Sequence, residues 1–145
     1  MNKALKVINL WAGPGTGKST TAAGLFNMMK LRKHSVELVT EYAKQLVWEK
    51  QHSSIFDNQM LLLAKQDHKQ RVLVDQVDYC ITDSPIFMNV VYSSCIHEYY
   101  KSFPLLAFEV FDSYSNINVF LNRVKEYDPR GRNQNLEEAI FKDKE

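Results

Sequence analysis

Apolar residues fall along this chain in short runs separated by amphipathic stretches, and the alternation predicts strands and helices in turn. Val7-Ile8-Asn9-Leu10 reads as a short buried strand. From about Gly17 to Lys33 the spacing of Leu25, Met28 and Met29 predicts a helix with those residues on one side. Lys30, Arg32 and Lys33 near its end suit the negative pole of the helix dipole. Val36 to Thr40 is a second strand, followed by Glu41 and by a helix through Tyr42, Leu46, Val47 and Trp48. The polar run Gln51-His52-Ser53-Ser54 interrupts the pattern, with Ser53 or Ser54 placed to cap the next helix. That helix is the longest expected, from Ile55 to about Val77, with Phe56, Met60, Leu63 and Val74 at near-helical spacing. Tyr79 to Thr82 is a third strand, stopped by Asp83-Ser84-Pro85. Ile86 to Val91 opens another apolar segment, and Phe103 to Tyr114 is helical with Pro104 at its start. Ile117 to Leu121 is a fourth strand, a polar and basic loop runs on to Arg132, and Leu136 to Lys142 closes the chain as a short helix.

Strands alternating with helices imply an α/β fold built on a parallel sheet with right-handed crossovers. In such sheets ligands gather at the carboxyl ends of the strands. That rule selects the loop after Leu10, then Glu41, Asp83 and the Arg123–Arg132 segment, and all four carry chemically loaded residues. Neither a repeat, a low-complexity tract nor an interdomain linker is evident, so residues 1–145 read as one domain.

Composition narrows the function classes. Eighteen Lys and Arg against seventeen Asp and Glu leave a formal charge of +1, which excludes a global basic field for nonspecific nucleic-acid binding. A local basic patch stays open. Cys80 and Cys95 are too few for a disulfide framework and read as two reduced, packed cysteines of a cytosolic protein. The apolar runs are too short for a transmembrane helix, and Met1 to Leu5 lead straight into the first strand without room for a targeting segment.

The chemistry centres on Ala12-Gly13-Pro14-Gly15-Thr16-Gly17-Lys18-Ser19-Thr20, which holds three of the five glycines in the chain. It fits the phosphate-binding loop, with Ala12 where the first glycine often stands. Small residues let successive backbone N–H groups curl around an anion, and the following helix adds its positive dipole end. Lys18 can reach β- and γ-phosphates and Ser19 can ligate Mg²⁺. Asp83 is placed to handle the metal shell or to act as the base toward an acceptor; the bland alternative is a turn former. Glu41 can orient or deprotonate an acceptor hydroxyl, or simply favour the dipole of its helix. Arg123, Arg130 and Arg132 surround Pro129 and Gly131 in a segment, about 123–135, that reads as an arginine-bearing lid, with a solvated basic loop as the alternative. Lys125 reads as solvated. Gln59 and Gln66 can hydrogen-bond a nucleobase, and Phe56, Tyr42 or Trp48 can stack on one. The preferred reading makes the aromatics core and the glutamines solvent-facing. His34, His52, His68 and His97 show no metal-ligand spacing.

These motifs together resemble a P-loop kinase of the nucleoside and nucleotide kinase group. More closely, the chain is similar to small AAA-type ATPase/kinase domains, often phage-encoded, that are like nicotinamide-riboside kinase domains. The residues that carry this are Ala12 to Thr20, Thr40-Glu41-Tyr42-Ala43, Ile81-Thr82-Asp83-Ser84-Pro85, Arg123, and Tyr127-Asp128-Pro129-Arg130-Gly131-Arg132. The resemblance implies a three-layer P-loop NTPase fold with sheet order 2-3-1-4, a fifth strand after the lid helix, ATP and Mg²⁺ as cofactors, and a cytoplasmic location (host cytoplasm for a phage product). It assigns Gly13, Pro14, Gly15, Thr16, Gly17, Lys18, Ser19, Thr20 and Arg123 to the nucleotide, Ser19 and Asp83 to metal, and Lys18, Glu41, Asp83, Arg130 and Arg132 to catalysis. The sequence ends at Glu145, within or just after the lid helix, so the expectation is a domain that is short, truncated, or completed by a partner. The leading function is phosphotransfer from ATP to a nucleoside-, nucleotide- or related small-molecule acceptor. The alternatives are a kinase acting on DNA or RNA, at a 5′ hydroxyl or a modified base, and a nucleotide-binding module or NTPase without kinase activity.

Overall fold

A computed structural model describes residues 5–93, 100–124, 126, 128–132 and 134–144; Cys95, His97, Lys125 and Tyr127 fall outside them. Among the described residues four strands form one parallel sheet: β1 (Lys6–Trp11), β2 (Val36–Val39), β3 (Tyr79–Thr82) and β4 (Ser115–Phe120), in the order β2-β3-β1-β4. This is the expected order. The helices are α1 (Lys18–Leu31), α2 (Tyr42–Trp48), α3 (Ser54–Asp57), α4 (Gln59–Arg71), α5 (Met88–Val91), α6 (Phe103–Asp112) and α7 (Leu136–Lys142).

Alternation along the strands divides the core between the two sheet faces. Ile8, Leu10 and Ile81 pack with Ala22 of α1, whereas Val7 and Cys80 pack with Leu63 of α4 and Phe103 and Ala107 of α6. Asn9, only 1% exposed, donates across β1–β4 to Asn116 Oδ1 at 2.8 Å, so this buried amide is satisfied within the sheet. β2 and β4 are the edge strands, and β4 leaves Ile117, Val119 and Phe120 exposed.

The structure corrects three expectations. The helix expected from Ile55 to Val77 is broken at Asn58, whose Oδ1 accepts from Leu61 N at 3.1 Å and so starts α4 afresh. It ends at Arg71, and Asp75 stands in the left-handed region at φ 63° in the turn beyond. Ser53 occupies the N-cap position of α3 but makes no side-chain cap; the His52 ring accepts from Ser54 N instead. Met28 is exposed while Leu25 and Met29 pack against the core, so the three expected on one side of α1 do not share one environment, and Met60 is exposed as well. α7 matches its expected span because Asn135 and Glu138 close a reciprocal capping box at 2.9 and 2.8 Å. Among the described residues, no helix is long and apolar enough to cross a membrane.

Cys80 sits at the centre of the sheet with no exposure. Burial, and secondarily the charge of Glu37, pushes its thiol up to about 12 from 9.0. A folded state that holds this proton more tightly than the unfolded chain loses stability as pH rises through the unfolded value. Tyr114, raised by burial and by donating to Asp67, acts in the same direction. Melting temperature should therefore fall above about pH 9, and the gap between wild type and Cys80→Ala should narrow as pH rises from 9.0 toward about 12. An unchanged gap would contradict the assignment to Cys80.

Candidate active site

β3 lies between β1 and β2, so three strand ends deliver their loops to one place. The loop after β1 turns through Gly15 and Gly17 at φ 76° and 99°, values that glycine adopts without a Cβ penalty. Thr16 Oγ1 donates to Gly13 O at 3.0 Å and ties the turn internally. Lys18 Nζ donates to Ala12 O and Gly13 O at 2.7 and 2.8 Å, folding its ammonium back over the loop. Burial lowers the Lys18 pKa, while Glu41 and Asp83 pull it the other way.

Asp83, 3% exposed, joins the motifs. Its Oδ2 accepts from Ser19 Oγ at 2.6 Å and its Oδ1 accepts from Glu41 N at 3.0 Å. The hydroxyl and carboxylate side by side are the hard oxygen donors that Mg²⁺ takes, and among the described residues no cluster of three or more His, Cys, Asp or Glu could hold a metal. That donor set fits an ion that draws its remaining ligands from phosphate and water. Glu41 is raised by burial, with Lys18 acting against the shift. Lys69, which donates to Thr40 O at 2.7 Å, is lowered by burial and feels both Asp83 and Glu41.

In front of Lys18 and Ser19 lies a cavity of about 210 Å³, walled by α2, the α3–α4 corner, α5 and the turn at Gly131 and Arg132. Glu41 and Arg132 face it. Gln59 and Gln66 line it at 4% and 2% exposure, which corrects the expectation that they face solvent. Gln66 Oε1 accepts from Tyr42 N at 3.0 Å, so α4 needs that amide to hold the start of α2. Phe56 and Tyr42 line the cavity too, and Trp48, expected in the core, is 61% exposed. Asn89 and Tyr92 of the α5 region, Lys44 and Lys69 were not singled out from sequence. They lack a motif; only their distance from Lys18 in three dimensions brings them in.

The arginines divide. Arg132 lines the cavity, and its Nη1 donates to Arg130 O at 3.1 Å and to Asp128 O. Arg130 pairs with Asp128 at 2.7 Å in an exposed position and faces a second cavity of about 330 Å³ that also touches Ser19, Thr20 and Lys44. Arg123 grips the end of α7: Nε and Nη2 donate to Asp143 at 2.5 and 3.0 Å, and Nη2 donates to Pro14 O at 2.7 Å. It thereby clamps α7 onto the phosphate loop.

That clamp explains Gly13. A Cβ there would collide with Asp143 Oδ1 and approach Ala139 O at 2.8 Å. Gly13→Ala should cost about 1–3 kcal/mol of stability and weaken binding of a fluorescent ATP analogue, by overpacking against α7. Asp143→Ala in the same chain should restore only part of the loss, since the Ala139 carbonyl remains. Thermal melts and titration measure both, and an unperturbed Gly13→Ala protein would remove the packing argument.

No curated protein matches the chain. Among solved structures, it is similar to that described as the crystal structure of APE1195, at 17% identity and a TM-score of 0.53, covering 98% of this chain and 70% of that one. It also aligns with the APS kinase CysC of Mycobacterium tuberculosis, at 18% identity and a TM-score of 0.48, over 86% and 84% of the two chains. At such identities the first likeness speaks for the fold alone. The family model described as AAA domain matches residues 7–142, and the chain belongs to that family of P-loop nucleotide-binding domains.

Proposed function

We propose that this protein transfers the γ-phosphate of ATP to a hydroxyl of a nucleoside-, nucleotide- or related small-molecule acceptor in the cytoplasm. One observation carries the reading. The cavity beside Lys18 and Ser19 has Glu41 and Arg132 in its wall and continues into an amide- and aromatic-lined interior. A transferase needs a space beside the γ-phosphate to hold its acceptor, which hydrolysis by water does not require. Gln59, Asn89, Phe56 and Tyr92 suit a planar heterocycle with a hydrogen-bonding edge. A volume of about 210 Å³ matches a small acceptor group.

The chemistry asks little covalent work of the protein. Glu41, more basic than a solvent carboxylate because it is buried, accepts the acceptor's hydroxyl proton. The acceptor oxygen bonds to the γ-phosphorus as the bond to the β–γ bridging oxygen breaks, and ADP leaves with that electron pair. Lys18 exchanges its two loop carbonyls for phosphate oxygens, and Arg132, which lines the same cavity, neutralises charge beside it. Ser19 and Asp83 would hold Mg²⁺, which screens the phosphate charges when bound.

A transfer screen with labelled ATP across nucleosides, nucleotides and oligonucleotides tests the reading, and label should appear on a small-molecule acceptor. Glu41→Gln should lower transfer by about 10²–10⁴-fold with ATP binding kept. Lys18→Ala should abolish transfer in a protein that still folds. Label found only as inorganic phosphate would make the protein an NTPase, label on oligonucleotides would make it a nucleic-acid kinase, and binding with neither would make it a nucleotide-binding module.

A further inference from the structure

Trp48 is an exposed indole at the last position of α2, and the sheet core makes no use of it. Its benzo edge is nevertheless engaged. A Cβ built on Gly131 would lie 2.7 Å from Trp48 Cζ2 and 3.1 Å from both Trp48 Cε2 and Lys44 Cε. Gly131 is buried there, at φ 72°, so the site demands glycine both for its backbone and for its proximity to the ring.

The turn around Gly131 is bound to itself. Asp128 accepts from Arg130 N, Nε and Nη2 at 2.7–3.0 Å, and Arg132 Nη1 reaches back to the carbonyls of Arg130 and Asp128. Pro129 restricts the backbone within it. A turn so tied moves as a unit, and its glycine is where that unit meets α2. One residue on, Arg132 lines both the acceptor cavity and the second cavity.

We propose that Trp48 is a positioning residue: its indole edge seats Gly131 and so sets where the Arg132 guanidinium lies relative to Lys18 and Ser19. Trp48 lines the second cavity beside Ser19, Thr20 and Arg132 but has no part in the wall of the acceptor cavity, which Arg132 reaches. It acts through Arg132, and Lys44 supports the seat with its aliphatic stem. The kinetic consequence rests on the phosphotransfer reading, while the seat itself does not.

Two measurements separate the two. In a Trp11→Phe background the remaining indole reports the seat, and Gly131→Ala should red-shift and broaden its emission as the ring is pushed off its partner. Unchanged emission overturns the seat, whatever the activity. In steady-state transfer, Trp48→Ala should lower kcat by about tenfold or more with the ATP KM within about threefold, because a misplaced charged group costs rate more than ground-state binding. Trp48→Phe should recover most of that loss. Combined with Arg132→Ala, Trp48→Ala should add no further loss, since both remove the same interaction. Additive losses, or full turnover in a folded Trp48→Ala protein, overturn the positioning role. A wild-type protein that moves no phosphate sinks the transferase reading instead, and the emission test still decides the seat.

Discussion

The site depends on one buried carboxylate. Asp83 stands at the end of a central strand and accepts from a side chain on one neighbouring element and from a backbone N–H on another. A carboxylate at 3% exposure has little water to solvate it, so its two oxygens must find donors within the protein. Ser19 and Glu41 supply them, and in doing so α1 and α2 are drawn to the same point. Hydrogen bonds to a charged group are each worth about 1.5–3 kcal/mol, which offsets the ordering of only a residue or two apiece, so packing of α1 and α2 on the sheet supplies the rest. Burial shifts Lys18, Glu41 and Lys69, Lys18 and Glu41 oppose each other's shift, and Lys69 feels Asp83 and Glu41.

Around that cluster the interior is polar where a sheet-packing helix would ordinarily be apolar. α4 buries Gln59, Gln66 and Gln70 alongside Leu62 and Leu63. Burying an amide costs free energy unless it is hydrogen-bonded. Gln66 meets that requirement by accepting from Tyr42 N, and Gln59 by donating to Phe56 O at 2.6 Å. Both amides therefore define the walls of the cavity while stabilising the helix starts that frame it. Close packing constrains the glycines in the same way. Gly13 and Gly131 are the places where α7 and α2 approach the loops too closely for a side chain.

α7 is held from two sides. Arg123 joins Asp143 to the phosphate loop, and Lys142 Nζ donates to Val91 O at 2.8 Å beside the cavity wall. The last helix thus touches both the phosphate loop and the α5 region that walls the cavity. A place just after β4 suggests a nucleotide contact for Arg123. Its pairing with an acid twenty residues on is a property of the folded contact, invisible in one dimension.

The strand pattern, the phosphate loop and the order of Glu41, Asp83 and the arginine segment were all legible in the chain, because each rests on local periodicity or on spacing within a few residues. The break at Asn58 was not, since a side-chain cap competes with apolar spacing and its outcome depends on where Leu61 N points. Nor were the buried glutamines, because an amide looks the same in sequence whether it meets water or a backbone N–H across a cavity. By itself, then, the sequence determined that a phosphate-binding loop sits at the end of the first strand of a parallel α/β sheet. Only the tertiary structure decided which distant side chains stand around it, because β3 lying between β1 and β2 brings together groups that are far apart along the chain.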